Sequence, residues 1–231
     1  MLQPKPERVL ARIPFTPILP LALDESDSLF LDLSENNAIC EVIYTWGSEK
    51  MEKWLNNQLQ FACKKAHIGG YLEKRTLYRR SEHFNTDTEK REFHLGIDIW
   101  TKAETPIFAP YQATIHSFQD NNRFGDYGPT IILEHQTEYF KFYTLYGHLS
   151  RKSLEGKSVG QKIEQGEKFA EIGNYPENGD WSPHLHFQLI LDMQGYYGDF
   201  PGVCSAEKLD FYKETCPNPN LILKSPILRQ D

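Results

Sequence analysis

The spacing of apolar residues changes twice along this chain. Residues 29–33, Leu-Phe-Leu-Asp-Leu, form a short, nearly continuous apolar run closed by the turn-forming residues 34–37, which predicts a strand. Between residues 48 and 66 the period changes: Met51, Leu55, Leu59, Ala62 and Ala66 recur three or four apart, the spacing of one helix face. Ser48 is a candidate cap, Glu49 and Glu52 suit the positive helix start, and Gly69-Gly70 supplies the stop. Trp54 and Cys63 extend the buried stripe as packing residues.

Beyond residue 90 the pattern turns to short apolar runs at 97–100, 114–118, 130–134, 140–145, 168–172 and 185–191, separated by Gly, Pro, Asn and Asp. Such spacing predicts a mainly β, largely antiparallel domain. Glycines 156, 160, 166 and 173 bracket brief β-like pieces, which predicts tight hairpins with Val159 and Ile163 pointing inward. The sequence divides into a helix-containing extension over 1–88, a β domain over 89–200 and a tail over 201–231. Pro201, Pro217 and Pro219 suggest that the tail is a lightly structured wrap, docked through Leu221, Ile222 and Ile227.

Composition narrows the function classes. Of the 231 residues, 39% are apolar and 25% charged, as in soluble globular chains, and a membrane partner is not expected. The formal net charge of −7 gives no positive field to gather nucleic acid. Cys40, Cys63, Cys204 and Cys216 lie far apart, without zinc-knuckle spacing. Near the N-terminus, Pro14, Pro17 and Pro20 interrupt the apolar stretch 13–23, and Asp24 and Glu25 follow at once. That is a poor export signal, so the expected location is cytoplasmic. Lys74, Arg75, Arg79 and Arg80 cluster around Tyr71 and Tyr78, and a solvated face is the expected meaning.

The candidate chemistry lies in the histidines. His94 and Asp98 are four apart, whereas His184 and His186 are two apart; on a strand, residues i and i+2 share a face, so both imidazoles of the second pair would enter one cavity. A catalytic zinc site needs about three protein ligands and an open position. His94, Asp98 and one member of His-x-His meet that count. His148 follows an apolar strand directly after Gly147, which permits close backbone approach. His135 and His116 lie in or beside predicted strands and read as structural, and His67 and His83 carry no motif. Loops around Asp126-Tyr127 and over residues 174–181 are placed to border a groove.

Taken together and in this order, His94-Leu-Gly-Ile-Asp98, Gly147-His148-Leu149 and His184-Leu185-His186 resemble the signature of the lysostaphin-type (LytM-like) zinc metallopeptidases. The resemblance covers roughly residues 93–191. It implies a lysostaphin-type β-sheet or β-sandwich peptidase domain binding one zinc ion per chain, with His94, Asp98 and His186 as ligands and His148 and His184 as the catalytic pair. The implied reaction is peptide-bond hydrolysis on a peptide or peptidoglycan fragment, with the histidines orienting or deprotonating the attacking water. A helix of the His-Glu-x-x-His type is missing, so histidine must take the place of a glutamate base. The alternative is a non-catalytic peptide- or partner-binding module on the same fold. In residues 1–85 a polar side chain able to fill an open metal position is conceivable, with Asn36, Asn37 and Asn85 as candidates.

Overall fold

The computed structural model describes residues 4–43, 45–76 and 90–228. In the first region α1 (Pro6–Leu10), β1 (Ser28–Phe30), α2 (Cys40–Ile43), α3 (Ser48–Ala62) and β2 (Ala66–Gly69) follow one another. The expected helix is α3, but it stops four residues early. Cys63 takes up a left-handed conformation (φ 55°), and the Lys64 amide donates back to the Leu59 carbonyl at 2.8 Å, a closure usually given to glycine. Ala66 is buried, yet as part of strand β2, whose four residues are all buried. At the other end Gly47 is the cap, and the Ser48 hydroxyl instead donates to the Asp180 carbonyl.

The β pattern yields β3 (Phe93–His94), β4 (Ile97–Trp100), β5 (Pro106–Phe108), β6 (Ala113–Asn121), β7 (Gly128–Gln136), β8 (Lys141–Gly147), β9 (Lys162–Ile163), β10 (Lys168–Glu171), β11 (His184–Ile190) and β12 (Val203–Cys204). The fold is mainly β. Eight strands make one sheet in the order β1-β2-β4-β11-β8-β7-β6-β9, antiparallel except for the β1–β2 pair. Strands from residues 28–30 and 66–69 therefore pair into the same sheet as those beyond residue 88.

Two expectations are corrected. The pieces between 156 and 173 do not pair as hairpins with each other: β9 joins β6, and β10 joins β5 in a separate two-stranded sheet. Ile163 is buried as expected, whereas Val159 is 54% exposed in the turn before β9. The tail is also more structured than a wrap. After β12 come α4 (Leu209–Thr215) and α5 (Asn220–Leu223), and Cys216 is fully buried. Ile222 lies in the main core, with Leu221 and Ile227 packed against it. Among the described residues, no helix is long and apolar enough to cross a membrane.

Alternation along β4 and β11 decides where the site lies. Ile97, Ile99, Leu185, Phe187 and Leu189 enter the main core, each contributing about 1.5–3 kcal/mol by burial. Asp98, Trp100, His184, His186 and Gln188 consequently point to the opposite face.

His135 shows what a satisfied structural histidine looks like in this fold. It is fully buried and stacked on Phe142, with Nδ1 3.1 Å from the Gln112 carbonyl and Nε2 2.8 Å from the Thr144 hydroxyl. Burial pushes its pKa down to about 4. The unfolded chain protonates this ring near 6.5 while the native state refuses the proton until about pH 4. Its stabilising contribution is therefore complete above pH 6.5 and falls as the pH drops towards 4, by roughly 3 kcal/mol in all. Urea unfolding at pH 7 and pH 4.5 should show a smaller loss of stability on acidification in His135→Gln than in the wild type.

Candidate active site

Strand register assembles the site. Asp98 on β4 stands opposite His186 on β11, Trp100 opposite His184, and His186 in turn opposite Gly147 at the end of β8. His94 sits on β3, one tight connection before β4, where Gly96 makes the approach possible. A Cβ at Gly96 would lie 2.5 Å from His186 Cε1 and 2.9 Å from the Phe187 carbonyl oxygen. His148 follows β8 with a positive φ of 61°, and its amide donates to the Tyr127 carbonyl at 2.8 Å. All five predicted site residues are brought to this one place, and all are buried.

His94 Nε2, His186 Nδ1 and Asp98 Oδ1 form a triangle with sides of 3.0, 3.1 and 3.2 Å. The other ring nitrogens show which lone pairs face inward. His94 Nδ1–H donates to the Gly70 carbonyl at 3.0 Å, so in the neutral ring Nε2 is bare. Gln188 donates its amide nitrogen to the Pro201 carbonyl at 3.1 Å and so turns Oε1 to His186 Nε2 at 3.0 Å. His186 Nδ1 is therefore bare as well. Two bare nitrogens and a carboxylate oxygen face one another with no proton of their own to share. Such a donor set suits a divalent cation of the zinc type, whose tetrahedral ligands at 2.0–2.1 Å stand about 3.3 Å apart.

His184 and His148 flank this triangle. His184 Nδ1–H donates to the Ser182 carbonyl at 2.7 Å, and His148 Nδ1–H donates to the Asn178 carbonyl at 2.8 Å. Each thus keeps a bare Nε2, and their ring centroids are 4.2 Å apart. His184 stacks on Trp100, which fixes its plane. Burial, then the neighbouring His184, holds the His148 pKa well below the usual histidine range, and burial lowers that of His184. Both rings are neutral acceptors near pH 7. Burial and then Arg75 push His94 down to about 4. Burial alone would raise the Asp98 carboxyl, but His94 and Arg75 outweigh it and hold it well below the ordinary carboxylate range.

Residues 92–196 match the model of peptidase family M23. That segment spans somewhat less than half of the chain. Among solved structures, similarity extends to a Pseudomonas aeruginosa protein solved as a candidate peptidase M23, at 19% identity over 57% of this chain and 44% of that one, with a TM-score of 0.39. A zinc-containing peptidase from Vibrio cholerae matches at 22% identity over 46% of this chain and 29% of that one, with a TM-score of 0.34. The catalytic domain of lysostaphin from Staphylococcus simulans matches at 21% identity over 70% of this chain and 97% of that one, with a TM-score of 0.40. The chain spans less than half the length of the first two. A comparison with curated proteins gives no match.

The cleft over the His94–Asp98–His186 triangle is walled by Met51, Trp100, Tyr127, Trp181, Tyr196 and Phe200. Tyr127 and Trp181 belong to loops that the sequence placed beside a groove, whereas Met51 comes from α3 and read only as helix packing. The tyrosine hydroxyl is 3.4 Å from His186 Nε2, and its ring occupies the space a Cβ on Gly147 would take. Arg75 corrects the expectation of a solvated basic face. It is 2% exposed and bonds Asp98 Oδ2 through Nη1 at 2.5 Å. Only Lys74 of the described members behaves as expected, half-buried and paired with Glu35 at 2.9 Å. Arg79, Arg80, Tyr78, His83 and Asn85 lie outside the described residues. Asn36 is exposed, and the Asn37 side chain is held by Asp32; neither lines the cleft.

Gly96→Ala should drive the His186 ring from its place and weaken divalent-cation binding by roughly ten- to hundredfold, with an unchanged far-UV circular dichroism spectrum. Competition with a chromogenic chelator measures the loss. Unchanged affinity would mean that the ring has room to move.

Proposed function

We propose that this chain is a zinc-dependent metalloendopeptidase that hydrolyses peptide bonds of peptidoglycan or its fragments. The observation that carries the proposal is the acceptor-only triangle of His94, Asp98 and His186, buried beneath an aromatic-walled cleft. These three residues would hold the zinc, leaving a fourth position open. When bound, zinc supplies a Lewis acid for the scissile carbonyl oxygen and makes water more acidic.

The chain's own residues do the rest. His184 and His148 present bare Nε2 atoms beside the triangle and serve as the base that takes a proton from the attacking water. A ring protonated in this way can return the proton to the leaving amine. Because each Nδ1–H is tied to a backbone carbonyl, both rings accept and release that proton at Nε2 without turning over. Trp100, stacked on His184, and the burial of both rings keep them oriented. The match of residues 92–196 to peptidase family M23 supports a peptide substrate; peptidoglycan is the substrate class that this proposal adds.

Asp98→Ala should purify without zinc, since two imidazoles leave the cation under-coordinated. Metal analysis showing full zinc content in that variant would overturn the ligand set. His148→Ala and His184→Ala should keep their zinc while hydrolysis falls by about two to four powers of ten. Incubation with peptidoglycan fragments and a peptide library, read by mass spectrometry, identifies the bond cut; failure of the wild type to cut any would refute the enzymatic reading.

A further inference from the structure

We propose that Arg75, which lies outside the segment matching the peptidase family, is a positioning residue that holds the Asp98 carboxylate so that Oδ1 alone joins the donor triangle. The inference rests on the metal-binding reading of His94, Asp98 and His186. Arg75 Nη1 engages Oδ2 at 2.5 Å while Oδ1 stands 3.2 Å from His94 Nε2 and 3.1 Å from His186 Nδ1. The two carboxylate oxygens thus have different partners, and a planar, permanently charged guanidinium is well suited to keep them apart.

Arg75 is itself fixed. Its Nε donates to Glu73 Oε2 at 2.6 Å, and Glu73 Oε1 accepts the Leu33 amide at 3.0 Å. Its guanidinium carbon lies 5.8 Å from the Trp100 ring centroid. The backbone on either side is pinned to the strand that carries His94: the amides of Leu72, Arg75 and His94 donate to the carbonyls of His94, Glu92 and Glu73 at 2.8, 2.9 and 3.0 Å. Through Gly70 the same segment also supplies the carbonyl that sets the His94 tautomer. A buried arginine joining two buried carboxylates is costly to keep unless its geometry is used. Here that geometry divides the work of Asp98 between an anchored oxygen and a donor oxygen.

The test uses the full chain loaded with Co2+, whose four-coordinate complexes absorb visible light far more strongly than five- or six-coordinate ones. Arg75→Lys keeps the positive charge but lacks the fork that spans Glu73 and Asp98. Should lysine fail to fold there, Glu73→Gln/Arg75→Gln removes the arginine together with Glu73, so that Asp98, with the bound cation as its partner, is the carboxylate left at this place. In either variant, with folding checked by circular dichroism, the visible Co2+ bands should lose intensity several-fold as the freed carboxylate ligates through both oxygens. Zn2+ affinity measured by chelator competition should fall by roughly ten- to hundredfold. A folded variant with wild-type cobalt bands and Zn2+ affinity within twofold of wild type would overturn the role of Arg75 while leaving the ligand set standing. A wild-type chain that bound neither metal would remove both.

Discussion

Three acceptor atoms facing one another across 3.0–3.2 Å in a buried site repel one another unless a positive charge lies between them, and much of the structure around them serves to maintain that arrangement. Gly70 and Gln188 each accept the one N–H of a ligand-side imidazole, so neither ring can turn a proton inward without breaking a buried hydrogen bond. Gln188 is fixed in turn by the Pro201 carbonyl. Residues scattered from 70 to 201 therefore converge on the protonation pattern of two rings.

The same register that builds the core builds the site. On β4 and β11 the odd positions Ile97, Ile99, Leu185 and Phe187 are buried in the main core, and the even positions Asp98, His184 and His186 line the cleft. A one-residue slip of β11 against β4 would exchange the two sets, placing imidazoles among aliphatic side chains and a phenylalanine in the cleft. Hydrophobic burial thus excludes the odd slips and keeps Asp98 and His186 on one face, where the observed register sets them opposite each other. Loops and helices are layered over that face: α3 brings Met51, and the segment before β11 brings Trp181, whose indole N–H donates to the Asp126 carbonyl at 3.2 Å.

What could be read from the sequence follows from the range of the physics involved. Strand periodicity and His-x-His spacing are local, and β4, β7, β8 and β11 fall close to the runs that foretold them. The end of α3 was not legible, because Cys63 adopts a left-handed conformation normally marked by glycine, and Ala66 happened to continue the helical spacing while belonging to a strand. Val159 followed a local hairpin pattern, but β9 pairs with β6 instead. Arg75 is the clearest case. In sequence it is one of several cations beside tyrosines, and nothing nearby distinguishes it from a surface residue. Its burial is decided by Glu73 on one side and by Asp98, 23 positions away, on the other. Gly70 was legible only as a helix stop, since the role of its carbonyl depends on where His94 lands.

On the zinc-binding reading, a metal ion and not simply a proton is the positive charge between these groups. A proton placed on His94 would be removed from water and set near the Arg75 guanidinium, and both effects push the His94 pKa down to about 4. At neutral pH that ring is therefore bare nearly all of the time. Asp98, held well below the normal carboxylate range, is no better a place for the proton. A divalent cation differs in two respects: it carries twice the charge, and it engages all three acceptors at once where a proton can bridge only two. Burial that repels the proton thus clears the triangle for a cation able to repay the cost of dehydration through three ligand bonds. The free energy of such binding would also stabilise the native state, because the unfolded chain does not hold the three groups together.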